Sequence, residues 1–168
     1  MARIYLKKST KTASTGSDDV RNTVMEILND IEAGGDAAAL KYAAKFDGYD
    51  GNLILTDAEI QAACELVPEK LKQDIQFAHS NVKRFAEAQR GTVTDFETEI
   101  VPGLIAGQKS IPCNAAGCYV PGGRYSHIAS AIMTVTTAKV AGCEHITACS
   151  PPAKDAGIAP AIVYAAQL

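Results

Sequence analysis

No window of this sequence approaches the ~20 consecutive apolar residues of a membrane-spanning helix, so no membrane partner is expected. The first residues, MARIYLKKSTKTASTGS, are basic without an apolar stretch behind them and do not read as a secretory signal. They hold the serines and threonines of a transit peptide, yet Ile4, Tyr5 and Leu6 suggest a short terminal strand. A basic excess is also missing: 16 Lys and Arg stand against 19 Asp and Glu, a formal charge of −3. Nucleic-acid-binding domains concentrate positive charge on one face, so no nucleic-acid partner is expected. None of the five cysteines, Cys64, Cys113, Cys118, Cys143 and Cys149, forms a CxxC pair, and their odd number suits free thiols in a reducing, cytoplasmic setting. Cys118, Cys143 and Cys149 fall at or beside apolar strand positions and read as small buried hydrophobes. A reactive thiol would need a helix N-terminus or a cationic neighbour. Three scattered histidines, His79, His127 and His145, cannot assemble a zinc site without two or three further ligands, and none stands at recognisable spacing. The chain is therefore expected to hold no metal by itself.

What is present is an ordinary globular composition, 47% hydrophobic and 21% charged over 168 residues, enough to bury about two-thirds of the unfolded surface. Ser17, followed by Asp18 and Asp19, opens a helix whose stripe is Val20, Val24, Ile27, Leu28 and Ile31. Gly34 and Gly35 end it, and a second helix runs from Asp36 to Gly48, making a helical hairpin. Leu53–Leu55 suits a short strand, and Thr56 with Glu59 forms a capping box for the next helix. Pro68 stops that helix at Val67, and a long one follows to Gly91, with Leu71, Ile75, Ala78, Val82, Phe85 and Ala86 on one side.

Alternation in TVTDFETEI, the turn VPG and then LIAGQKSI predict a β-hairpin. Its carboxylates Asp95, Glu97 and Glu99 share one strand face and read as a solvent-facing edge rather than a cation site. The shift from charged helices to small and apolar residues after Ile111 marks a domain boundary near Cys113, dividing 1–112 from 113–168. Beyond it, AAGCYV and HITACS read as buried strands on either side of a helix from His127 to Ala141, and a last helix begins near Ile158. Strands alternating with helices imply a parallel sheet with right-handed crossovers. The expected class is α/β: an N-terminal helical region with a β-hairpin, then the start of a Rossmann-like parallel sheet.

The turn between the first of those strands and its helix carries the chemistry. Pro121, Gly122 and Gly123 permit positive φ and close approach of a ligand to the backbone, and the helix start offers unpaired N–H groups to an anion. A bare PGG is also what a strand-to-helix turn needs for steric reasons, and it is not GxGxxG. Arg124 and His127 follow at once; a guanidinium here suits phosphate, carboxylate or sulfonate oxygens, and the alternative is a solvated arginine with a locally packed histidine.

These residues also carry a resemblance. GCYVPGG followed by ASAIMTVTTAKVAGCEHITACSPP resembles the histidinol dehydrogenase family, where Gly-x-Tyr-(Val/Ile)-Pro-Gly-Gly precedes a helix and then a strand running into Ser-Pro-Pro. GGDAAALKYAAKFDG is similar to another segment of that family, so the likeness covers almost the whole chain. It implies an NAD-dependent, zinc-containing homodimer that oxidises a primary alcohol through an enzyme-held aldehyde to a carboxylate by two hydride transfers. By the same resemblance Tyr119 contacts NAD, Val120 and Pro121 line the same turn, and Gly122 and Gly123 complete it. The zinc ligands and acid–base residues of the family have no counterpart within these residues. RYSHIAS after the turn is similar to a sister branch, the sulfopropanediol dehydrogenases, whose sulfonated diol would suit Arg124; a cofactor phosphate would suit it equally, and histidinol and a sulfonated diol both stand as substrates.

Leu168 falls inside the apolar run GIAPAIVYAAQL without a capping residue, and the chain is expected to be the front part of a larger enzyme, inactive alone. The competing expectation is a non-catalytic module that binds a nucleotide or a partner.

Overall fold

The computed structural model describes residues 17–122, 125–152 and 157–168, which leaves the expected terminal strand at Ile4–Leu6 outside the described residues. Two compact units are formed, Met1–Leu53 and Ile54–Leu168.

In the first unit a single helical element, α1, runs over Ser17–Asp47 and is interrupted at Gly35, whose φ of 54° and ψ of −141° are non-helical. A residue without Cβ enters that conformation at no steric cost, so the sequence-predicted break between two helices is present. The Tyr42 hydroxyl donates to Asp30 Oδ2 at 2.5 Å, joining the two halves, and its ring stacks on Phe46.

The second unit contains α2 (Asp57–Glu65), α3 (Glu69–Arg90), β1 (Phe96–Val101), β2 (Leu104–Gln108), β3 (Ala115–Tyr119), α4 (Ile128–Ala141), β4 (His145–Cys149) and α5 (Pro160–Gln167). The expected strand at Leu53–Leu55 does not form. Leu53 and Ile54 are exposed, and three residues without a neighbouring strand have no ladder in which to place their backbone groups. The capping box that follows is complete: Thr56 Oγ1 accepts from the Glu59 N–H at 3.3 Å, and Glu59 Oε2 accepts from the Thr56 N–H at 2.7 Å. Such a cap contributes about 1 kcal/mol to its helix.

α3 follows its sequence-predicted stripe with one exception. Ile75 and Ala86 are buried and Leu71, Ala78 and Val82 pack against the core, whereas Phe85 is 66% exposed. Its neighbour Ala86 takes the inward place, and a helical step of 100° carries Phe85 off the contact face. The core joins Val67, Ile75, Val120, Ala131, Ile132, Ile162 and Ala165, which draws on α3, α4, α5 and the two ends of the connecting segments. α4 packs against α3, α5 and both strands of the parallel pair, so residues all around it are apolar.

β1 and β2 form the sequence-predicted antiparallel hairpin, closed at Pro102 and Gly103. Two of its carboxylates have a structural task. Glu99 Oε1 accepts from the Gly103 N–H and Asp95 Oδ1 from the Ser110 N–H, each at 2.8 Å, which satisfies backbone donors at the turn and at the return of the second strand.

β3 and β4 pair in parallel with Ala115 opposite His145 and Tyr119 opposite Cys149. They are not the fully buried strands expected from their composition: only Cys118 is buried among their residues. α4 lies against this pair, and alternation turns Cys118 inward while Tyr119 and its cross-strand partner Cys149 are exposed. The expectation of a buried Cys149 is thereby corrected; Cys143 is half-buried. The composition boundary near Cys113 falls inside the second compact unit, where α3 packs on α4.

Candidate functional site

The end of β3 delivers four residues in three environments to one bend. Tyr119 is 64% exposed, Val120 is fully buried, and Pro121 and Gly122 are half-buried. The next residue inward fixes the bend to the neighbouring strand: the Val120 N–H donates to the Cys149 carbonyl at 2.8 Å, extending the parallel ladder by one step. Burying the Val120 side chain contributes about 1.5–3 kcal/mol, so the bend is anchored by the core while its outer edge stays accessible.

Beside it lies the turn after β4. A Cβ built on Gly122 would stand 2.9 Å from both Cγ and the carbonyl oxygen of Pro151, and 3.1 Å from Ser150 Oγ. Glycine is therefore required at this position by the close Ser150–Pro151 turn, a steric reason that stands beside any role in binding. Gly123 and Arg124 lie outside the described residues. Tyr125, Ser126 and His127 continue the outer edge, all exposed. His127 stands at the start of α4 with φ −87° and ψ 63° and no side-chain capping bond; its carbonyl accepts from Ser130 and Ala131.

The two turns thus sit side by side at the carboxyl ends of a parallel strand pair, followed by a helix N-terminus. In open α/β sheets this edge is where ligands bind. A small cavity of ≈ 20 Å³ is enclosed there by Gly122, Tyr125, Ser126, Ser150, Pro151, Ala159 and Ile162. Ser150 Oγ is buried and has no hydrogen-bond partner among the described residues. In the sequence Ser150 closes the strand HITACS and is not a site candidate; its signal is its place at the end of the second strand of a parallel pair.

A wider concavity of ≈ 530 Å³ between α3 and α4 is lined by His79, Lys83, Glu87, Arg90, Thr136 and Lys139, among others. Burial, with Lys83 and Lys139 nearby, holds the His79 imidazole below its ordinary value. The cations there have a structural reason. Arg90 Nη1 donates to the Val140 carbonyl at 2.8 Å and Lys139 stands in the last turn of α4, where positive charge complements unpaired carbonyls. This concavity is separate from the strand ends.

Residues 10–168 match the family described as histidinol dehydrogenase. The chain belongs to the histidinol dehydrogenase family. Within the family it is 68% identical, over 98% of its length, to the sulfopropanediol 3-dehydrogenase of Ruegeria pomeroyi, of which it covers 38%. It is 37% identical over 92% of its length to the histidinol dehydrogenase of Methanosarcina barkeri, of which it covers 36%. A crystal structure of histidinol dehydrogenase from Elizabethkingia anophelis superimposes with a TM-score of 0.81 at 32% identity, covering 96% of this chain and 36% of that one. The chain thus spans less than two-fifths of the length of each of these three histidinol dehydrogenase relatives.

Two groups implied by the family can be tested against these residues. A dinucleotide fits: the strand-end edge presents an exposed Tyr119, and beside it Ser150 has a polar atom in need of a partner. A zinc ion does not fit, because no three His, Cys, Asp or Glu side chains converge on one point among the described residues.

Proposed function

We propose that this chain is the cofactor-binding part of an NAD-dependent dehydrogenase that oxidises a primary alcohol through an aldehyde to a carboxylate. The observation that carries this reading is the pairing of two turns, Tyr119–Gly122 and Ser150–Pro151, at the carboxyl ends of β3 and β4 in a chain of the histidinol dehydrogenase family. Tyr119, Val120, Pro121 and Gly122, with Gly123 next in sequence, are the cofactor-binding residues, and residues 113–168 begin the NAD-binding part, with 1–112 as the helical and hairpin part. When bound there, the nicotinamide accepts hydride.

The chain's own residues supply position rather than bond-making. Val120, anchored in the core, fixes the bend; Tyr119 offers an exposed ring face beside it; the first turn of α4, after His127, offers N–H groups to a negative group. Arg124 and His127 are the candidates to meet a phosphate or the anionic group of the substrate. The substrate class we favour is a sulfonated diol, on the strength of the 68% identity to a sulfopropanediol dehydrogenase against 37% to a histidinol dehydrogenase. The zinc ligands and proton-transfer groups belong to the part of the relatives' length that this chain does not span, and the complete enzyme is a cytoplasmic homodimer.

Titration of NAD into the purified chain tests the reading. Saturable binding, with no NADH formed when zinc and sulfopropanediol or histidinol are added, is the expected result. Turnover by the chain alone would overturn the assignment of the reacting groups elsewhere, and failure to bind NAD would overturn the site. Binding without turnover in the complete protein as well would favour a non-catalytic nucleotide module.

A further inference from the structure

Ser150 stands out among the polar groups of the second unit. Its hydroxyl oxygen is buried without a hydrogen-bond partner among the described residues, whereas buried polar groups in folded proteins are almost always paired. The fold does not need this hydroxyl: alanine would fill the same place without an orphaned oxygen, and removing an unpaired hydroxyl costs nothing in hydrogen bonding. The oxygen lines the ≈ 20 Å³ cavity under the bend, a space above the roughly 10–15 Å³ that one oxygen-sized group requires. The wall of that cavity formed by Tyr125 and Ser126 is exposed, and α4 starts just beyond it.

We propose that Ser150 is a positioning residue whose hydroxyl, without a protein partner among the described residues, donates a hydrogen bond to a diphosphate oxygen of the bound dinucleotide, in the cavity that Gly122, Ser126 and Pro151 help to line. The inference rests on the cofactor site proposed above. An anionic oxygen is the partner that gives an isolated hydroxyl the most, since hydrogen bonds to charged groups are about twice as strong as neutral ones. It also accounts for the side-by-side packing of the two turns: Gly122 lets the Ser150–Pro151 turn come close enough for one ligand group to touch both.

The test compares wild type with Ser150→Ala by thermal unfolding without ligand, and by calorimetric titration with NAD, ADP and adenosine. The proposal expects an unliganded Tm equal to or above that of wild type, because an unsatisfied buried hydroxyl has been removed. It expects affinity for NAD and for ADP to fall about tenfold or more, with adenosine unaffected. A lowered unliganded Tm would show that the hydroxyl is already bonded in the free protein, through a buried water, and would overturn the proposal. Unchanged NAD affinity, or an equal loss for adenosine, would overturn it too. If wild type binds none of the three ligands, it is the underlying cofactor reading that has failed, a result distinct from any of these.

Discussion

Replacing Gly122 by alanine probes the contact on which the site's geometry depends. The new methyl carbon would lie 2.9 Å from Pro151 Cγ, 2.9 Å from the Pro151 carbonyl oxygen and 3.1 Å from Ser150 Oγ. A backbone oxygen and a proline ring are not flexible side-chain ends, so relief requires the two turns to move apart. Overpacking of this kind costs about 1–3 kcal/mol. For a chain of this size about 2 kcal/mol corresponds to a Tm lower by roughly 4–8 °C. The separation also breaks the shared edge, so NAD affinity should fall by more than the stability loss alone explains at temperatures where both proteins are folded. Gly117→Ala is the control: it stands in β3, the strand that leads into the bend, and a Cβ there meets nothing within 4 Å. Calorimetric scans and NAD titrations at a temperature well below both midpoints provide the comparison. If Gly122→Ala and Gly117→Ala have the same Tm and the same NAD affinity, the two turns are not in the described contact and the argument for the site collapses.

Further outcomes follow from the rest of the fold. Thr56→Ala removes one half of a reciprocal cap and should cost about 1 kcal/mol in urea unfolding, while leaving NAD binding unchanged. Ile132→Ala opens a cavity at a residue 3% exposed where α3, α4 and α5 meet, and should cost about 2–5 kcal/mol by the same measurement. Burial, then Lys83 and Lys139, hold the His79 imidazole below its ordinary 6.5, so the unfolded chain takes up this proton more readily than the folded one. The associated stability is complete above 6.5 and declines as pH falls through the window below it; His79→Gln should therefore lose less Tm between about pH 7.5 and pH 5.5 than wild type does.

Much of the architecture could be read from residues with a strong local chemistry. The Thr56–Glu59 box, the break at Gly35, the hairpin closed by Pro102 and Gly103, and the stop at Gly91 each follow from a side chain or a missing one acting on its own backbone. The strand–helix–strand order around α4 could be read for the same reason, and the parallel pairing of β3 with β4 came with it. Features that depend on distant neighbours were not legible. Leu53–Leu55 has the composition of a strand but no partner, and Phe85 belongs to the apolar stripe of α3 yet faces water because Ala86 occupies the contact. Cys149 was read as buried from an apolar run, but strand alternation and a helix against the opposite side set it beside Tyr119 in the open. At the site, Tyr119 to His127 were visible as a motif, whereas Ser150 and Pro151 join it through a packing contact across 28 residues that no local pattern encodes.

Amide hydrogen exchange of the chain with and without saturating NAD tests the central claim most directly. Slowed exchange confined to the amides of Tyr119, Val120, Gly122 and Ser150 and the first turn of α4 is the predicted result. Protection that appears instead in the groove of Lys83, Arg90 and Lys139, or nowhere, would contradict it.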